Sequence, residues 1–326
     1  MNRREFIWKS ALTLAAAQGL PRLAAAAYPE RPLRLIVPFA AGGNIDAVGR
    51  IMGAAIGPKL EVPAVVENKP GAGGSIGADM VARAPADGYT LLVGSNGPLT
   101  VNPFIQAQLP YDPLKDFAPV GMVGYVPHVL VVNPQVPAKN LAELVALSRK
   151  QGINAGTSGV GSATHLTLLR LNAATGAKLV NVPYRGGGAL IPDLLGGNIE
   201  ATVTEFSTAL PLHRSGKARI LAITADHRLA LAPELPTLAD EGYENLVAAS
   251  YVGLLAPAAT PPDVMARLQK ALVEGAHDPA IADKLKDFGV EPATAQQETS
   301  AGFAAFLRDE YARSQAAAQQ AGIKPE

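Results

Sequence analysis

The sequence predicts an α/β protein of two similarly built lobes, each a mostly parallel sheet flanked by helices. Apolar runs of strand length alternate with stretches of helical periodicity from Leu33 onward, the signature of a parallel α/β sheet. A strand, Gly-rich turn, helix unit recurs in both halves of the chain. The length of 326 residues, 48% of them hydrophobic and 17% charged, suits two globular domains with substantial cores.

Residues 1–27 read as an export signal and stand outside the fold. Arg3 and Arg4 give a basic start, Ala11 to Leu20 an apolar centre, and Ala24 to Ala27 small-residue cleavage sites. The adjacent arginines followed by Phe6, Ile7 and Lys9 resemble a twin-arginine signal; an ordinary secretory leader is the alternative. The apolar run falls short of the roughly 20 residues a spanning helix needs. This leader carries Arg3, Arg4, Lys9 and Arg22 against Glu5, so of a total charge of zero the remaining chain holds −3. A mildly acidic chain without basic blocks argues against nucleic acid as a partner. The absence of cysteine removes disulfides, thiolate catalysis and Cys-based metal sites.

Strands are expected at Leu33–Val37, Ala64–Glu67, Tyr89–Val93, Val129–Val132, Lys178–Val182, Ala201–Thr204, Arg219–Thr224 and Tyr251–Ala256. Helical spacing appears in Ile45, Val48, Met52 and Ala55, in Leu141–Lys150, and in Ala163–Ala174. From Thr260 the chain reads as helix almost throughout, with Thr260 as N-cap, prolines in the first turn and Asp263 behind them. The proline-marked stretches around Pro127 and Pro257 are the expected crossings between lobes. The expected division is 28–127 plus 251–326 for one lobe and 128–250 for the other, a two-strand hinge that lets a cleft close.

Four Gly-rich turns lead from strands into helices: Phe39-Ala40-Ala41-Gly42-Gly43, Gly71-Ala72-Gly73-Gly74-Ser75, Gly156 to Ser162, and Tyr184 to Gly188. A helix start offers unpaired N–H groups and partial positive charge, and glycine lets backbone approach a ligand closely. Such starts bind anions and lie where α/β sheets bind ligands, beyond the carboxyl ends of the strands. Asn44 or Asp46, Ser75 and Ser162 are the expected helix caps. Arg185 is the candidate for direct charge pairing. His165 can donate to a ligand carboxylate or pack as a neutral ring. Glu205, if it faces the cleft, favours a ligand that also carries an ammonium or a hydroxyl; facing outward it has no such meaning.

Two other chemistries fit less well. Gly73-Gly74-Ser75-Ile76-Gly77 has the spacing of a serine hydrolase elbow, yet Asn68 to Ala72 separate it from its strand. Gly71, Gly73 and Gly77 miss the dinucleotide spacing, and no Walker lysine follows. The five histidines show no metal-ligand spacing, so neither metal nor cofactor is expected.

With these residues in view, the chain resembles the Bug-type solute-binding receptors of tripartite tricarboxylate transporters. The likeness runs through Val37-Pro38-Phe39-Ala40-Ala41-Gly42-Gly43 with Asp46 and Arg50, Val66-Glu67-Asn68-Lys69-Pro70-Gly71, Asp87-Gly88-Tyr89-Thr90-Leu91, Asn102-Pro103 and Leu109-Pro110-Tyr111-Asp112-Pro113. It continues with Gly156-Thr157-Ser158-Gly159, His165-Leu166, Val182-Pro183-Tyr184-Arg185-Gly186, Asp193-Leu194-Leu195-Gly196-Gly197 and the tail Ala321 to Pro325. The resemblance implies a type II periplasmic-binding fold, a Venus flytrap closing on a small carboxylate, non-catalytic and monomeric. It also implies delivery to integral membrane transporter subunits from the periplasm. It places the ligand against Phe39, Ala40, Ala41, Gly42, Gly43, Asn44, Gly73, Gly74, Ser75, Ser95, Thr157, Ser158, Ser162, His165 and Tyr184. Arg185 stands where the family commonly has lysine. Val203-Thr204-Glu205 replaces a segment often carrying an aromatic and an aspartate, so Thr204 and Glu205 bear on specificity. A periplasmic hydrolase using Ser75 and a ligand-presenting sensory receptor are the alternative functions.

Overall fold

A computed structural model describes residues 28–320 and Pro325; the expected signal at 1–27 and the tail motif at 321–324 lie outside the described residues. Two units divide the chain, Met1–Glu30 and Arg31–Glu326. The described part of the first, Tyr28–Glu30, has no helix or strand, and the second contains the whole fold.

Strand β1 (Leu33–Val37) buries all its side chains but Arg34 and pairs in parallel with β2 (Ala64–Asn68) and β3 (Thr90–Gly94). Arg34 extends over β2 to Glu67 at 2.7 Å, a cross-strand pair at the exposed face. Helix α1 (Asn44–Leu60) returns across these strands on Gly49, Gly53 and Gly57. Cβ atoms there would stand 3.0 Å from Val37, 3.2 Å from the Ala64 carbonyl and 3.1 Å from the Val62 carbonyl. A glycine every four residues thus seats one helix face directly on the sheet. Helix α2 (Ser75–Ala82) follows β2 in the same way.

Strand β4 (Phe117–Val132) is the axis of the molecule. Its residues Phe117–Pro127 pair antiparallel with β9 (Ala249–Pro257), which continues to β3; its last five, His128–Val132, pair antiparallel with β7 (Ala201–Glu205) and β8 (Arg219–Ile223). Strand β5 (Ile153–Thr157) lies parallel between β7 and β6 (Leu179–Pro183). The sheet runs β2-β1-β3-β9-β4-β7-β5-β6, with β8 and the short β10 (Glu291–Pro292) also on β4. Parallel pairing is therefore confined to the outer strands, where helical crossovers connect them. The middle is antiparallel because β4 and β9 run in opposite directions. Pro257 pairs with Phe117, far from the second half of the sheet; the returning chain reaches β9 at Ala249.

Helix α3 (Leu141–Gln151) is capped by Asn140, whose Oδ1 accepts from the Glu143 amide at 2.9 Å, while Glu143 accepts from the Lys139 amide. Helix α4 (Ala163–Thr175) starts at Ser162, and α5 (Gly187–Gly196) at Gly186. After α6 (Phe206–Arg214) and β9 come α7 (Pro262–Ala276), α8 (Pro279–Asp287) and α9 (Ser300–Gln320). Pro261 occupies the N-cap position of α7, and Thr260 instead donates its hydroxyl to the Pro257 carbonyl at 2.7 Å. The expected Thr260 cap is thus one residue too early, because two consecutive prolines shift the first helical position to Pro262.

Each half of the sheet has its own core. Leu130, Leu144, Ile153, Leu168, Leu171 and Leu221 fill the second half. Ile36, Leu92, Met122, Leu255, Phe303 and Leu307 fill the first. There Phe306 meets the Tyr251 ring edge-to-face at 5.2 Å and so binds α9 to the sheet. Among the described residues no helix is long and apolar enough to cross a membrane.

Candidate functional site

The helices α1, α2, α4 and α5 all begin just beyond the carboxyl ends of strands β1, β2, β5 and β6, and their Gly-rich entries meet. The Ala40 amide of the first loop donates to the Arg185 carbonyl of the fourth at 2.9 Å. Gly188 lies so near that a Cβ on it would be 2.5 Å from the Ala41 carbonyl oxygen. The second and third loops touch likewise, with a Cβ at Gly73 falling 2.5 Å from the Val160 carbonyl. Ser207 Oγ of α6 donates to Asn44 Oδ1 at 3.0 Å. Backbone-to-backbone contact between both halves of the sheet is what these glycines permit.

The loops border a small cavity of about 20 Å³ lined by Phe39, Gly43, Asn44, Ile45, Ser95, Gly97, Ser158, Ser162, Ala163, Thr164, Gly187, Glu205 and Ser250. Three helix starts, at Asn44, Ala163 and Gly187, border it. Two deeply buried polar atoms in this lining lack a hydrogen-bond partner, Asn44 Nδ2 and Ser158 Oγ. Unpaired buried donors of this kind are costly unless something accepts from them.

Behind the first loop, Asp46 accepts from the Gly42 amide at 3.0 Å, from Arg50 at 2.9 Å and from Asn68 at 2.9 Å. Burial pushes its carboxyl up, but Arg50, the Gly42 amide and Asn68 outweigh that and hold it below the usual range. Asn68 also donates to the Phe39 carbonyl, so the loop is braced from α1 and β2 together. Asp46 therefore orders the entry to α1 by accepting from Gly42; Gly43 holds the N-cap position, and neither Asn44 nor Asp46 caps from there.

Glu205 faces the cavity at the end of β7 with 5% of its surface exposed. Burial pushes its carboxyl up, opposed by hydrogen bonds that include those from Ser250 at 3.2 Å and Thr204 at 3.3 Å. Ser250 Oγ also meets His128 Nε2 at 2.9 Å, and His128 Nδ1 meets Thr167 Oγ1 at 2.8 Å. Burial, aided by Arg170, lowers the His128 imidazole to about 3, so this ring is neutral and its two nitrogens play opposite roles in the chain of hydroxyls.

The expected residues divide by position. Phe39, Gly43, Asn44, Ser95, Ser158, Ser162 and Glu205 line the cavity. Gly73, Gly74, Tyr184 and Arg185 line a second, adjoining space that shares Phe39 and Ser158. Ser162 caps α4 by accepting from the His165 amide at 3.2 Å, as expected. Ser75 does not cap α2, since Gly74 occupies that position; its hydroxyl is committed to Asn102 at 2.7 Å, Gln106 at 3.0 Å and Tyr111 at 3.5 Å. Those partners are amides and a phenol rather than an imidazole, which disfavours the nucleophile reading. Thr157 turns into the sheet to Asn181, and Tyr184 donates outward to Asp193. His165 accepts at Nδ1 from the Gly161 amide at 3.4 Å and is lowered by burial, so its neutral ring keeps Nε2 as a donor, and it is not part of the cavity lining. The Arg185 side chain is exposed, and only its carbonyl joins the contact between halves. Ala41 and Gly42 are exposed at the rim, and Thr204, outside the lining itself, donates to Glu205 with its Oγ1 beside Gly187. Ile45, Gly97, Ala163, Thr164, Gly187 and Ser250 were not anticipated as lining. Of these only Gly187 carried a signal, in the Gly186 to Gly188 run. Among the described residues no three His, Asp or Glu gather as metal ligands.

Residues 48–323 match the tripartite tricarboxylate transporter family receptor. The chain belongs to that family. Protein BugT of Bordetella pertussis is 35% identical over 327 residues, 99% of either chain. The structure of periplasmic binding protein BugD matches with a TM-score of 0.88 at 33% identity, covering 92% of this receptor and all of that chain. R. palustris Rpa4515 with adipate matches with a TM-score of 0.87 at 30% identity over 92% of this receptor and all of that chain. The fold is thus that of the periplasmic solute-binding receptors, and the Bug-type resemblance of the sequence is confirmed across the described receptor.

Proposed function

We propose that this receptor is exported to the periplasm, is non-catalytic and monomeric, and captures a small carboxylate that it delivers to integral membrane transporter subunits. The observation that carries the reading is the enclosed space bordered by three helix starts, with Asn44 Nδ2 and Ser158 Oγ buried and unpaired on opposite halves. Partial positive charge and free N–H groups at such starts suit carboxylate oxygens without a formal cation. The relative holding adipate is consistent with that chemistry.

Capture proceeds by closure of residues 28–127 with 251–326 against 128–250. The chain passes between these bodies at Pro127–His128 in β4 and at Ser250–Tyr251 in β9. The acid shifts the open and closed populations by its differential affinity for the closed form, where both halves contact it. A thermal-shift screen of refolded, ligand-free protein against small carboxylates, with neutral sugars and nucleotides as controls, tests this. A carboxylate at a hundred times its Kd adds about 2.7 kcal/mol and raises Tm by several degrees. A shift with sugars or nucleotides and none with any acid contradicts the reading.

A further inference from the structure

Glu205 is a group that a plain anion cleft does not need. It supplies the cavity's charged side chain, the others in the lining being neutral, and no Lys or Arg stands among them. Ser250, Thr204 and its own backbone N–H each give it one hydrogen bond, which leaves roughly one of a carboxylate's four acceptor positions open. A buried carboxylate without a cation is unfavourable unless it is protonated or finds one. The space before it is kept free by Gly187. A Cβ there would stand 3.1 Å from Glu205 Oε2, 3.2 Å from Thr204 Oγ1 and 3.6 Å from the unpaired Ser158 Oγ. Three oxygens therefore converge beside Gly187, where any side chain would cover them.

We propose that Glu205, with Thr204 and Ser158, is an ammonium subsite and that the ligand is a small zwitterion, an α-amino acid or a near homologue. This rests on the carboxylate-receptor reading and narrows it. The ligand carboxylate lies on Asn44 Nδ2 and the helix starts, and its protonated amine on Glu205. Electroneutrality points the same way. A plain dicarboxylate would bring like charge against Glu205, with only the partial charges of helix starts to offset it. A zwitterion adds no net charge and gives the buried acid its counter-ion. A hydroxy acid supplies the hydrogen bond but not the charge.

The test is isothermal titration at pH 7.5 of refolded protein with matched pairs: L-alanine and propionate, L-aspartate and succinate, L-glutamate and glutarate. The expected result is at least one amino acid bound tenfold or more tightly than its deamino partner. Glu205→Gln then weakens that amino acid at least tenfold and leaves the plain acid unchanged or tighter, with circular dichroism confirming the fold; Glu205→Asp serves if the amide variant does not fold. Plain acids bound as tightly as their amino partners by wild type, or a preference retained in Glu205→Gln, would overturn the proposal. Binding of no member of either set, alongside binding of a neutral solute, overturns the carboxylate reading itself.

Discussion

Gly188→Ala isolates closure from folding. Gly188 lies in the first turn of α5, where alanine is a better helix former by up to about 1 kcal/mol. Its missing Cβ matters only across the cleft. A methyl there would stand 2.5 Å from the Ala41 carbonyl oxygen and 2.8 Å from both the Gly42 carbonyl carbon and the Gly43 nitrogen. These are backbone atoms of the opposing half, so no side-chain rotation relieves the contact. Restoring ordinary separation moves the loops apart by about an ångström and breaks the 2.9 Å hydrogen bond from Ala40 to Arg185. Overpacking of this kind costs about 1–3 kcal/mol. Charged wholly to the closed form, that is a roughly 5- to 150-fold rise in the Kd of whichever acid the screen identifies. Titration calorimetry measures the Kd, and a thermal melt of the ligand-free protein measures the fold. The expected pair is a weakened ligand and an unchanged or raised ligand-free Tm. An unchanged Kd would refute the idea that these loops meet in the bound state. A lowered ligand-free Tm would show that they are already in contact without ligand.

Three further outcomes follow from named contacts. His128 is held neutral to about 3, so between its ordinary 6.5 and that value the unfolded chain takes up a proton the folded one refuses. Stability falls with falling pH across that window by up to about 1.4 kcal/mol per unit, and urea melts of wild type against His128→Gln should differ by such a slope; parallel curves would contradict a buried neutral ring. Ser75→Ala should leave ligand Kd within about twofold while costing roughly 1–2 kcal/mol of stability through the lost hydrogen bond to Asn102; a tenfold loss of affinity would return Ser75 to the binding site. Phe303, fully buried beside Phe306 and Tyr251, should cost about 3–5 kcal/mol as Phe303→Ala in denaturant unfolding, with m-values and ligand Kd preserved; a loss under 1 kcal/mol would mean α9 does not pack on the sheet as described.

Where local chemistry and tertiary demand agree, the sequence was readable. Strand β1 is Leu33–Val37 in both readings because its apolar run is buried on either face. The meeting of four loops was legible because glycine runs after strands have few other uses. Strand β4 was legible only at Val129–Val132, since Pro119, Gly121, Gly124 and Pro127 break its apolar pattern; the structure absorbs them with register shifts at Pro119/Gly121 and Met122/Gly124. Strand β5, Ile-Asn-Ala-Gly-Thr, lacks an apolar run altogether, and its Gly156 is needed because a Cβ would meet Ile199 at 2.6 Å. In the site, Ser250 and His128 sit on strands without any motif, and only their convergence with Glu205 gives them a role. Ser75 misled because a serine after glycines looks like a cap, while the surrounding amides of Asn102 and Gln106, 27 and 31 residues on, decide where its hydroxyl points.

The central claim is that helix starts from both halves close on one small acid, and amide hydrogen exchange tests it most directly. With and without the acid found in the screen, protection should rise together in residues 40–46, 156–165 and 185–190, with α8 and the outer face of α1 unchanged. Protection confined to one half, or centred on the apolar space around Phe206, Leu229 and Leu285, would contradict the account.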